Sequence, residues 1–178
     1  MQLSNRNVDF TSEGCDLAVR GRTPPDSGLV ARKLEDADLV IVASPKYLRR
    51  RGTPRSLDAL LEHECIQFSL PSTGQIVPWL LRQGERDIER VVHGAIRCSD
   101  DILAPVTLAR HGVGLAQTYR FIVEQDLRDG RLKEVLRGLA GASRPFSMLY
   151  PANRNMPHRV RALIEFLSEE LRALKRRS

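Results

Sequence analysis

At 178 residues the chain is sized for one domain or for two small lobes. With 42% hydrophobic and 28% charged residues it reads as a globular protein rather than a low-complexity chain, and no apolar stretch approaches the roughly 18 residues needed to span a bilayer. The net charge of +6 admits an anionic partner, but aromatic residues make up only 5%, too few to interleave a nucleic-acid surface.

The N-terminus shows neither the basic nor the apolar region of an export signal. Cys15, Cys65 and Cys98 are odd in number and form no metal-ligand spacing, so a reducing cytoplasm suits them best. Cys65 and Cys98 lie in apolar runs, where an inert buried thiol is expected rather than a redox pair.

In chain order, the first strand-like run is DLAVR, Asp16 to Arg20, and after a Gly/Pro loop two further strand-like runs close on Ser44-Pro45. The second of these, Leu39 to Ala43, is a continuous β-branched run of the kind buried on both faces of a sheet. Ser44 is the expected cap of a helix with Pro45 at its first position and Gly52 at its end. Arg49, Arg50 and Arg51 then occupy its last turn, where cations complement the helix dipole. Ser56 opens a short helix reaching Glu62, and Cys65 to Ser69 is the next strand.

From Pro78 to Arg97 the pattern alternates around Gln83-Gly84-Glu85, which predicts an antiparallel ribbon, followed by a strand from Ala95 to Cys98. Ser99, Asp100 and Asp101 offer caps for a helix running to Gly112, with Pro105 about one turn inside it. Val113 to Gln117 predicts a strand, Tyr119 to Leu127 a helix, and Leu132 to Leu136 and Phe146 to Tyr150 two more strands. Pro157 opens the final helix, whose Val160, Leu163, Ile164, Leu167, Leu171 and Leu174 recur at helical spacing as a core face, with Arg172 among the polar residues. Strands and helices in alternation predict an α/β architecture.

Several residue patterns invite a chemical reading and fail it. Gly112-Val113-Gly114 runs from helix to strand, the reverse of a phosphate loop, so Gly112 is expected as a left-handed cap and Gly114 as a close-packing position. His63, His93, His111 and His158 are scattered, so no metal or other cofactor is expected. No GxSxG elbow is present, and Ser44 and Ser99 are explained as caps, which leaves no catalytic nucleophile and no expectation of an enzyme. Trp79 either walls a pocket or fills core.

What remains is a set of strand ends: Arg20-Gly21, Phe68-Ser69, Ser99-Asp100 and Gln117-Thr118. In open α/β sheets ligands collect at such ends, and one cation with several hydroxyls suits a small anion, a carboxylate above all.

Five stretches carry a family likeness: DLAVR through ASPKYL, then GTPRSLDALLEHECI, CSDDILAPVTLARHGVGLAQ, DGRLKEVL, and SMLYPANRNMPHRVRALIEFLSEEL. In this order and spacing the chain resembles the effector-binding, or substrate-binding, domain of LysR-type transcriptional regulators. The resemblance implies a two-lobed type 2 periplasmic-binding-protein-like fold with crossover strands. Its first lobe would be 1–43 with 147–178, lacking its first strand and helix, and its second 44–146. It further implies an effector cleft between the lobes, lined by Arg20, Gly21, Phe68, Ser69, Ser99, Asp100, Gln117 and Thr118, with Trp79 as a candidate wall. The partners implied are a small-molecule effector, a second copy in a homo-oligomer, and DNA only through an N-terminal helix-turn-helix that these residues do not supply. A periplasmic-type solute-binding protein of a transporter would share the fold and is the alternative.

Overall fold

The computed structural model describes residues 10, 14–21, 28–152 and 156–177. They divide into two compact units, one within Asp38–Ser143 and one within Val8–Ala37 and Arg144–Ser178.

The larger unit begins with the second half of β2 (Leu29–Ala43). From Leu39 onward every residue of this strand is 7% exposed or less, as the unbroken apolar run predicts. The two expected runs are one continuous strand, on whose exposed part Lys33 and Asp36 bridge at 2.6 Å. Helix α1 (Pro45–Arg51) follows as predicted: the Ser44 hydroxyl accepts from the Tyr47 amide at 3.2 Å, and Gly52 closes the helix at φ +82°. Arg50 and Arg51 reach carbonyls of other segments, those of Gly112 and Glu62, at 3.0 and 2.9 Å. Asp58–Glu62 is a 3-10 turn rather than an α-helix, with the Ser56 hydroxyl accepting from the Ala59 amide.

Strand β3 is only Gln67–Phe68, and it runs parallel to β6 (Arg97–Cys98). The expected five-residue strand survives as isolated bridges on either side, Cys65 with Leu115 and Ser69 with Ile76. The ribbon forms as predicted from β4 (Trp79–Gln83) and β5 (Arg86–Arg90), turning at Gly84 with φ +62°.

Helix α2 (Ala104–Arg110) corrects the expectation for Ser99. The cap lies four positions beyond Ser99, Leu103 holds it without a side-chain bond, and Asp101 instead accepts from the Leu103 amide at 2.8 Å. Asp100 lies at φ +63°, so the segment between strand and helix is a turn and cannot continue a helical ladder. Pro105 is consequently in the first turn, where its missing N–H costs nothing, and does not kink the helix.

Gly112 takes the left-handed conformation at φ +79°, and β7 (Ala116–Tyr119) follows. Strand β7 pairs antiparallel with β2, as does β8 (Lys133–Val135), while α3 (Arg120–Arg128) lies between them in sequence. Two apolar clusters result, one around Tyr47, Cys65, Trp79 and Leu115, the other around Val42, Ile66, Val106 and Val123.

In the smaller unit, β1 (Ala18–Arg20) pairs antiparallel with β9 (Ser143–Pro151), which is also a sheet neighbour of β2. Helix α4 (His158–Arg177) packs Val160, Ile164 and Leu167 against Met148. Leu163, expected on the core face, is 45% exposed, because the buried stripe is narrower than the periodicity implied. The side chains of Leu174 and Arg172 lie outside the described residues.

Candidate functional site

Three short segments of the larger unit run parallel to one another. Phe68 is in register with Cys98, and Cys65 bridges Leu115 in the parallel sense, secured by Ile66 N–H to Leu115 O at 2.9 Å and Leu115 N–H to Glu64 O at 2.8 Å. Ser69 and Ser99 directly follow the paired Phe68 and Cys98, whereas Thr118, expected past the end of its strand, lies inside β7 and pairs with Val40.

These side chains differ in what they have left to offer. Ser69 is 5% exposed and its hydroxyl donates to the Cys98 carbonyl at 3.4 Å, while its amide donates to the same oxygen at 2.9 Å. Ser99 is exposed and donates to the Asp100 carboxylate at 3.2 Å, so a carboxylate stands beside one of the hydroxyls expected to meet an anion. Thr118 is 7% exposed and faces Val40 across the β2 ladder. Beyond it α3 starts at Arg120, and the Tyr119 side chain at its cap position makes no capping bond.

Gln117 is committed. Its amide oxygen accepts from the Leu80 N–H at 3.0 Å and its amide nitrogen donates to the Leu80 carbonyl at 2.7 Å, so it imitates a strand partner and ties β7 to the ribbon. It also lines a small apolar recess with Leu39, Ile41, Leu81 and Leu136. Trp79, next in the ribbon, is 4% exposed and packs in the first apolar cluster, filling core. Arg20 and Gly21 belong to the smaller unit, Arg20 ending β1 in register with Ser147.

Neither cysteine of this unit is activated. Burial, reinforced by the Glu64 charge, pushes the Cys65 thiol up to about 12, and burial with Asp101 nearby raises Cys98. Among the described residues no group of His, Cys, Asp and Glu is placed to hold a metal ion.

Sequence reading passed over one charged cluster of this unit. Asp126, 3% exposed, takes two bonds from Arg110 at 2.9 and 2.6 Å and a third from Arg131 at 2.8 Å. No local spacing announces this cluster, whose members are 5 and 16 residues from Asp126 and meet only when α2 and α3 pack on β7.

Comparison with known proteins gives a consistent picture. The sequence profile described as the LysR substrate binding domain matches residues 1–172. The regulator CrgA of Neisseria meningitidis is 32% identical over 165 residues, 92% of this chain and 54% of its own length. The regulator PtxR of Pseudomonas aeruginosa is 36% identical over 174 residues, again 54% of its length. The chain thus spans about half the length of these curated relatives. Among solved structures, the CrgA regulatory domain superposes with a TM-score of 0.76 at 27% identity, covering 93% of this chain and 81% of that one. A full-length AphB variant gives the same TM-score at 25% identity, covering 94% and 56%.

Proposed function

Because the chain belongs to the LysR substrate-binding domain family, we propose that it is the sensing part of a transcriptional regulator, binding a small carboxylate or similar anion and passing its presence to a DNA-binding domain. The observation that supports the effector reading is the parallel pairing of β3 with β6 and of Cys65 with Leu115, with Ser69, Ser99 and Thr118 following these pairs along the chain. The N-terminus of α3, just beyond Thr118, adds positive potential there, which favours an anion. Asp100 opposes it and the Ser69 hydroxyl already donates to the Cys98 carbonyl, so the Thr118 hydroxyl is the stronger donor of the set. Arg20 and Gly21 enter as the charge partner and turn that the family resemblance supplies. Gln117 serves by holding the ribbon in place rather than by reaching the effector. The relatives named above are regulators, which favours this reading over a transporter's solute-binding protein or an enzyme.

Calorimetric titration of the chain with a panel of small organic carboxylates tests the reading. At least one is expected to bind saturably, with Thr118→Val weakening it about fivefold, the loss of one neutral hydrogen bond. A panel with no binder, or a binder indifferent to Ser69→Ala and Thr118→Val alike, removes the anion site. The same 178 residues titrated with duplex DNA are expected to show only weak binding that falls steeply with salt, since Arg49, Arg50, Arg51 and their neighbours offer phosphate contacts without base readout. The regulator is further expected to act as a homo-oligomer.

A further inference from the structure

Tyr47 of α1 is 1% exposed, and its hydroxyl sits between two groups of the segment leaving the 3-10 turn. The Glu64 N–H donates to the phenol oxygen at 2.9 Å, and His63 Nδ1 lies 3.0 Å from it. The Arg51 guanidinium also faces that oxygen, so with the amide it takes up both acceptor positions and the phenol's own proton goes to His63 Nδ1. That nitrogen must be bare, so the imidazole is neutral and carries its proton on Nε2.

The charged groups around His63 mostly resist an imidazolium. From α1, Arg51 faces it with a guanidinium held by the Glu62 carbonyl at 2.9 Å, and Arg50 lies over the Tyr47 ring at 5.7 Å. From the 3-10 turn, the Glu62 carboxylate favours the charged ring. The Glu64 carboxylate is engaged elsewhere, accepting from the Ala95 N–H at 2.6 Å. Burial first, and Arg51 second, outweigh Glu62 and hold the His63 pKa below its ordinary value.

We propose that Tyr47, His63 and Glu64 form a proton-operated lock: protonating His63 turns Nδ1 from acceptor to donor, leaves the buried phenol proton without its acceptor, and loosens α1 from the Glu64–Cys65 backbone. The loosened segment is the one that bridges to Leu115 at the start of β7, so acidification reaches the strand assigned to the effector whatever that effector is. The sign follows from linkage. A histidine with a lowered folded pKa stabilises the fold above its unfolded value of about 6.5 and loses that contribution as pH falls through the folded value.

Hydrogen exchange of the intact chain, followed between about pH 8 and about pH 5.5 with intrinsic rates removed, reads the lock directly. Peptides covering 45–51 and 62–66 are expected to lose protection on acidification while those of α4 keep theirs. His63→Gln, whose amide oxygen still accepts the phenol proton, is expected to abolish the response. Persistence of the response in His63→Gln, or its absence in the unmodified chain, overturns the proposal. Should His63→Gln fail to fold, a nuclear magnetic resonance titration of His63 in the unmodified chain decides alone, and a pKa at or above about 6.5 rejects the lock.

Discussion

Gly114→Ala is expected to destabilise the larger unit by about 3 kcal/mol, among the largest effects of any single methyl group in this chain. A Cβ at position 114 would fall inside van der Waals contact of the Glu64 carbonyl oxygen and within 3.2 Å of the Glu64 carbonyl carbon. That same oxygen accepts the Leu115 N–H at 2.8 Å, so relieving the clash means breaking the Cys65–Leu115 bridge. A flexible side chain would give way, whereas a paired backbone has nowhere to go. Gly94, whose added Cβ would meet the Cys65 carbonyl, is the companion position on the other side of this segment. Denaturant unfolding of Gly114→Ala measures the effect, and a loss below about 1 kcal/mol would show that the bridge is not held as tightly as described.

Asp126→Asn is expected to cost about 2 kcal/mol at neutral pH. Removing one partner of a buried ion pair costs roughly 3–5 kcal/mol when both charges are buried. Here only the carboxylate is: the Arg110 and Arg131 side chains are 38% and 57% exposed, and water recovers part of what they lose. The pH dependence has a definite sign. Burial alone would raise the Asp126 pKa, but the bonds from Arg110 and Arg131 outweigh it and hold the carboxyl below the ordinary carboxylate value. Its stabilisation is therefore fully present above about pH 4 and disappears as pH falls through the lowered folded value. Subtracting the stability of Asp126→Asn from that of the unmodified chain across this range should give a difference that shrinks toward zero in acid. A constant difference would assign the cost to packing instead of charge.

The parts of the fold legible in the sequence are those fixed by neighbours along the chain. Ser44, Pro45 and Gly52 bound α1 because capping, proline at the first position and a left-handed glycine are all local events. Gly84 turns the ribbon for the same reason, and the buried run Leu39 to Ala43 declares itself by composition alone. Ser99 misled because a serine before two aspartates looks like a cap from either side, and only the left-handed Asp100 shows that the chain turns before the helix begins. Gln117 was expected at a strand end but lies inside β7, and its clamping role was not legible because its partner Leu80 is 37 residues away. Tyr47 and His63, and Asp126 with its two arginines, left no mark in the sequence, because each depends on side chains brought together by packing.

The central claim, that this chain senses a small anion, meets its most direct test at Arg20. The measurement is the affinity of a carboxylate identified by calorimetry, compared between the unmodified chain and Arg20→Ala under identical salt. A guanidinium paired with the effector's carboxylate makes the variant roughly thirtyfold weaker, a loss of about 2 kcal/mol. Unchanged affinity in Arg20→Ala would contradict the account.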